Sequence, residues 1–237
     1  MINKIYNECC LKTMSRMEDD LLDLIILDPP YYEVKGDFDF KFESRQSYFE
    51  FITQVLTTCV PKLKPTGSLF CYTSQEFSAE YDLLLRDILT IKNRIIWYRS
   101  GGVSPKKKYK QSHEHLFYCV KDIKQHTWNL DVVRVKSKYA GKDKRLNPLG
   151  KSPDDVWEIP NLVGRKKEKV NHPTQKPLRI CERIIRGSSD EGNLVYVPFA
   201  GSGSELVSCK LNDRNYIGSE ISEGYCNLCE ERLREIV

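Results

Sequence analysis

Leu21-Leu22-Asp23-Leu24-Ile25-Ile26-Leu27 runs straight into Asp28-Pro29-Pro30-Tyr31. The first seven residues are apolar apart from Asp23 and too few for a helix, and two prolines stop them. This predicts a buried strand that ends at a rigid turn. Ile5-Tyr6 reads as a short strand before it, followed by a helix through Leu11 to Met17. After it, Phe49, Ile52, Val55, Leu56 and Cys59 recur at helical spacing, so a helix is expected over Tyr48 to Val60, closed by Pro61 and Pro65-Thr66-Gly67. Ser68 to Tyr72, Arg94 to Tyr98 and Leu116 to Val120 read as further strands, with a helix over Phe77 to Leu89. The same alternation returns late in the chain. Helices are expected over Leu178 to Ile185, Glu205 to Leu211 and Glu223 to Ile236, and strands over Leu194 to Val197 and Tyr216 to Ser219. Strand–helix alternation at both ends predicts an α/β fold: a mostly parallel sheet with helices on both faces.

Between the two halves the periodicity fails. Lys121 to Asn171 is rich in Gly, Pro, Lys and Asn, with Trp128 and Trp157 to seed a small core. The expected organisation is therefore a first half over 1–120, an inserted basic region over 121–170 and a second half over 171–237. Charge follows the same division. Arg99 to Val170 carries a balance of +10, and the rest of the chain −6, within a net charge of +4. A basic block on a mildly acidic body is the footprint of a surface that meets polyanions. The densest runs are Lys106, Lys107, Lys108 and Lys110, and Arg165, Lys166 and Lys167. Lysines at phosphates displace condensed counterions, so binding there should weaken steeply with salt.

The 237 residues, 40% hydrophobic and 11% aromatic, are enough for a sizeable core. No apolar run approaches the roughly 20 residues needed to span a bilayer. The first residues lack a basic stretch followed by an apolar one, so no secretory signal is expected. Nine scattered cysteines then read as reduced thiols in a cytoplasmic setting. Cys226-Asn227-Leu228-Cys229 has metal-like spacing but no companion pair. Within a helix it reads as packed thiols, and no metal is expected. His113-Glu114-His115 likewise reads as structural.

Two segments at strand ends carry chemistry. In open α/β sheets, ligands bind beyond the carboxyl ends of the strands. Asp28 offers a carboxylate there, Pro29 and Pro30 fix the backbone and expose carbonyls, and Tyr31 offers a flat face. The set suits a planar group with an amino donor. Pro198-Phe199-Ala200-Gly201-Ser202-Gly203-Ser204 joins a strand to a helix, where glycines let a ligand approach the backbone. Glu220 ends the next strand and suits ribose hydroxyls. Leu206 breaks the dinucleotide pattern G-x-G-x-x-G, which disfavours a nicotinamide oxidoreductase and leaves a nucleoside cofactor compatible.

Asp28-Pro29-Pro30-Tyr31, then His172-Pro173-Thr174-Gln175-Lys176-Pro177, then Phe199-Ala200-Gly201-Ser202-Gly203 resemble, in that order, the motifs of the beta-group DNA amino-methyltransferases. The resemblance implies a Rossmann-like, seven-stranded sheet with one antiparallel strand and a target-recognition region inserted between the motifs. It implies S-adenosylmethionine as cofactor and double-stranded DNA as partner, with a homodimer and a cognate restriction enzyme as further partners. It implies Asp28, Pro29, Pro30 and Tyr31 as the catalytic set, with methyl transfer to the 6-amino group of a flipped-out adenine. Asn7-Glu8-Cys9 falls where the family usually has Gly-Asp-Cys, so Glu8 and Cys9 would approach the cofactor's adenine. Asp28, Thr174 and Lys176 would line the same pocket, the 198–204 loop would cradle the cofactor, and Glu220 would hold its ribose. Ser104, Gln111, Ser112, Arg145 and Asn147 are candidates by type for reading bases. One departure stands out: the family writes Asp-Pro-Phe where this chain has Val197-Pro198-Phe199. The alternatives are methylation of the 4-amino group of cytosine, and a DNA-binding subunit weakened in catalysis by Val197.

Overall fold

The computed structural model describes residues 1–32, 42–99, 104–137, 139, 141, 147–162 and 168–236. Its strands are β1 (Lys4–Tyr6), β2 (Leu22–Leu27), β3 (Leu63–Thr73), β4 (Thr90–Tyr98), β5 (His113–Val120), β6 (Val156–Glu158), β7 (Leu194–Val197) and β8 (Asn215–Ser219). Its helices are α1 (Cys10–Met14), α2 (Arg45–Cys59), α3 (Ser78–Arg86), α4 (Leu130–Val133), α5 (Leu178–Ser188), α6 (Ser204–Leu211) and α7 (Glu223–Arg234). The strands form one sheet in the order β1-β8-β7-β2-β3-β5-β4-β6. Only β5 runs against its neighbours β3 and β4. The sheet thus has the expected Rossmann-like form with one strand more than the seven expected. The extra strand is β6, which pairs in parallel with β4 through Trp97 and Trp157.

Alternation along each strand divides the core. Leu24 and Ile26 of β2 face the side covered by α5, α6 and α7, while Ile25 and Leu27 face the side covered by α1, α2 and α3. α5 shows how the cover forms. Ile180, Cys181, Ile184 and Ile185 recur at helical spacing and are buried, each isoleucine contributing about 1.5–3 kcal/mol of burial. α2 starts where Ser44 and Ser47 form a capping box, and Pro61 follows its end.

The 121–170 region is not one lobe on one edge. β5 ends at the edge where β3 begins, so the chain leaves there: Thr127 N donates to Thr66 O at 2.9 Å, and Asn129 N to Gly187 O at 2.8 Å. Trp128 stacks on Tyr118, and α4 packs on α5. The chain then crosses the sheet as β6, and the Trp97 indole anchors its exit by donating to Ile159 O at 2.8 Å. Ile159, just past β6, lies at the edge where β2, β4 and β7 end, its N donating to Tyr98 O at 3.2 Å.

Candidate active site

β2 and β7 are hydrogen-bonded neighbours, with Leu24 opposite Val195 and Ile25 opposite Tyr196. From this pair the sheet continues through β3 on one side and β8 on the other, which is the topological switch point where α/β sheets open a crevice. The Asp28 turn and the glycine loop, about 170 residues apart in the chain, therefore emerge side by side. They line one pocket of about 560 Å³, within the size range of small-molecule sites.

Asp28, Pro29, Pro30 and Tyr31 all lie in its wall. Behind them is a chain of charges. Lys176 Nζ is 2.6 Å from Asp28 Oδ2 and 3.9 Å from Glu114 Oε2. Arg99 Nε lies 3.4 Å from Glu114 Oε1. The Tyr31 hydroxyl is 3.3 Å from Asp28 Oδ1 and 3.4 Å from Glu114 Oε2, so its proton can serve either acid. Burial and the adjacent Asp28 push this phenol well above its ordinary pKa. The Lys176 side chain is only 4% exposed and its ammonium sits 4.7 Å from the centre of the Tyr72 ring. Burial alone would lower its pKa, but Asp28 and Glu114 outweigh that and raise it. Lys176 is thus a buried cation aimed at the Asp28 carboxylate.

The glycine loop is held through its own backbone groups, mostly by side chains that fold against it. Gly201 N donates to Glu220 Oε2 at 2.8 Å, and Ala200 N to Ser219 O at 2.9 Å. The Cys229 thiol donates to Gly201 O at 3.2 Å, and the Arg232 guanidinium donates to Ser202 O. Gly201 and Gly203 both have positive φ, 49° and 73°. A Cβ on Gly201 would come 3.0 Å from His172 Nε2, and one on Gly203 2.8 Å from Cys229 Sγ. Both positions need glycine, but Gly203 for packing on α7. His172 lies edge-on to Tyr225 at 4.5 Å and accepts from Thr174 N at 3.3 Å. Burial lowers its pKa to about 4.

Cys9, Thr174, Pro198, Phe199, Ala200, Gly201, Ser202 and Glu220 line the pocket with Lys176, as the sequence leads one to expect. Gly203 and Ser204 do not; Ser204 is buried and hydrogen-bonded to Ser202. Glu8 does not line it either. Its carboxylate is taken by Arg16, by Lys12 at 3.3 Å and by the Thr13 hydroxyl at 2.9 Å, and Arg16 leads in lowering its pKa to about 2. Lys106, Lys107, Lys108 and Lys110 are exposed in the β4–β5 connection, which leaves the sheet at the pocket's edge. Ser104, Gln111 and Asn147 are exposed, and Ser112 is half-buried. Arg145, Arg165, Lys166 and Lys167 lie outside the described residues. His172 lines the pocket with Thr174 and Lys176 of the same segment. Sequence reasoning missed Glu114, Glu205 and Arg232 as parts of this site. Glu114 carried a signal, as an acid between two histidines on a strand. The other two are recognised only by what folds against them.

The profile of the DNA methylase family that covers N6 and N4 amino-methyltransferases matches residues 22–231. The chain belongs to this family. It is 35% identical over 94% of its length to the DNA adenine methyltransferase YhdJ of Escherichia coli, covering 80% of that protein. It is 34% identical over 94% of its length to the type II methyltransferase M.HpaI of Haemophilus parainfluenzae, covering 71%. Among solved structures, an M1.HpyAVI complex with S-adenosylmethionine superposes with a TM-score of 0.70 at 24% identity, covering 97% of this chain and 98% of that one. The cytosine-N4-specific PvuII methyltransferase gives 0.76 at 15%, covering 96% and 85%. The chain is therefore a DNA amino-methyltransferase, of a family that uses S-adenosylmethionine.

The pocket suits that cofactor. Phe199, Ile221 and Tyr225 offer flat or apolar surface to a base, and Glu220 offers acceptors for a ribose. No helix among the described residues is long and apolar enough to cross a membrane.

Proposed function

We propose that the protein transfers a methyl group from S-adenosylmethionine to the 6-amino group of an adenine turned out of duplex DNA. The observation that carries this reading is the shared pocket of the Asp28-Pro29-Pro30-Tyr31 turn and the glycine loop. S-adenosylmethionine supplies an electrophilic methyl on a sulfonium, and the rest falls to the chain's own residues.

An exocyclic amino nitrogen is a poor nucleophile because its lone pair is delocalised into the ring. Asp28 and the Pro29 carbonyl accept its two hydrogens and draw it toward tetrahedral geometry. Lys176 holds the Asp28 carboxylate from behind at 2.6 Å, leaving lone pairs for the amino group. The acid need not be a strong base, since the proton becomes labile only after the nitrogen is methylated. Catalysis is positioning and directed hydrogen bonding. The target must leave the duplex to reach this depth. Stacking on Tyr31 contributes about 1–3 kcal/mol, comparable to the cost of unstacking. Lys106, Lys107, Lys108 and Lys110 hold phosphates at the rim, which positions the duplex without reading it. An aspartate at position 28 favours adenine over cytosine.

Incubation with duplex DNA and methyl-labelled S-adenosylmethionine, then digestion to nucleosides, tests the reading. Label in N6-methyladenine is expected. Label in N4-methylcytosine would move the target to cytosine, and unlabelled DNA would refute the assignment.

A further inference from the structure

β7 ends in Val197, which is buried in the core cluster shared with α5 and α6. β7 itself supplies no carboxylate to the pocket. α6 supplies one on the same side of the sheet. Glu205 is 4% exposed yet lines the pocket. Its Oε1 has no hydrogen-bond partner among the described residues.

The charges around it are already committed. Asp28 pairs with Lys176 and Glu114 lies against Arg99, while Arg232 is spent on Ser202 O and Ser204 Oγ. Glu205 is the acid without a cation of its own among the described residues; its carboxylate has the Cys181 thiol and its own backbone amide, and Oε1 remains unmet. A buried carboxylate with an unmet acceptor is costly to keep. A fold retains such a group where a ligand brings the missing donors, and the donors that suit a lone carboxylate are those of an ammonium.

We propose that Glu205 binds the α-ammonium of the methyl donor's methionine part, supplying from α6 the carboxylate that Val197 does not supply from β7. The inference rests on reading this pocket as the donor's site. It also accounts for a titration. In the free protein, burial, with Asp28 adding to it, pushes the Glu205 carboxyl up to about 7. An ammonium brought against it would restore the ionised form.

The test compares two ligands by calorimetry: S-adenosylmethionine, and 5′-methylthioadenosine, which keeps the nucleoside and lacks the amino-acid part. Glu205→Gln should weaken S-adenosylmethionine by about ten- to a hundredfold and leave 5′-methylthioadenosine within about twofold. Unchanged affinity for both ligands, or equal loss of both, overturns the proposal. Glu220→Gln reports on the pocket itself and should weaken both ligands. Should it change neither, the placement of the donor fails. Should it weaken both while Glu205→Gln changes neither, only the role of Glu205 fails.

Discussion

At the end of β2 the pocket is held by paired charged side chains; at the end of β7 it is held by backbone conformation, close packing and single side chains bonded to main-chain groups. Asp28, Lys176, Glu114 and Arg99 form a line of alternating charge in which a single change leaves a neighbour unmatched. The glycine loop has few such pairs. Its shape comes from positive φ at Gly201 and Gly203, from donors on α7 that grip its carbonyls, and from acceptors at the end of β8, Ser219 O and the Glu220 carboxylate, that take its amides. Under the proposed function, the contrast follows from two tasks: the β2 end directs hydrogen bonds at one small amino group, and the β7 end lets a large ligand lie against the backbone.

If that division is right, the two ends fail differently. The largest effect belongs to Asp28→Ala, which should slow methyl transfer on the order of 10³-fold and leave S-adenosylmethionine affinity within about twofold. Single-turnover kinetics beside calorimetry would read both, and parallel loss of affinity would erase the distinction. Lys176→Met should cost about 3–5 kcal/mol of stability, because it strands Asp28 without its cation and leaves Glu114 with Arg99 alone. Urea unfolding measures this, and a loss below about 1 kcal/mol would mean that the charge line is dispensable. Gly203→Ala combines a left-handed backbone with a clash at Cys229. Its cost should be about 2–4 kcal/mol, from packing and strain alone, and should not change with salt.

A pH series sharpens the same contrast. His172, packed under the glycine loop, is held near pKa 4 against an ordinary 6.5. A histidine whose folded pKa is depressed stabilises the fold fully above 6.5, and that stability is lost as pH falls through 4. The expected loss is about 2–3 kcal/mol, seen as a slope in unfolding free energy that His172→Gln flattens. Glu205, raised to about 7, acts oppositely and loses stability as pH rises through that value. The wild-type and His172→Gln difference isolates the histidine. The smallest effect is at Glu8. Its pair with Arg16 is partly exposed, so Glu8→Gln should cost no more than about 1 kcal/mol. That contribution is present above pH 4.5 and lost as pH falls through 2. Cofactor affinity should not move, and a loss there would bring Glu8 back into the pocket.

Much of this was readable before the structure. The strand over Leu194–Val197 was placed to the residue, because a buried run bounded by Gly192-Asn193 and Pro198 leaves little choice. β3 was read too short. Pro65-Thr66-Gly67 signals a break, yet the strand passes through it with an irregular register, Leu22 opposite Leu63 but Leu24 opposite Ser68, a place where sheets accept proline. β6 has three residues in a polar setting and exists only because β4 offers an open edge. The Asp28-Pro29-Pro30-Tyr31 turn and the glycine loop carry their own local chemistry. Glu205 and Arg232 carried none, since an acid and a base on amphipathic helices look like solvent-facing charges until α5, α6 and α7 close over them.

The most direct measurement is a crystal structure of the protein with S-adenosylmethionine. The account predicts the ribose at Glu220, the nucleoside beside Phe199, and the methyl directed at the space in front of Asp28 and Tyr31. A donor bound away from the glycine loop, or with its methyl turned from Asp28, would contradict it.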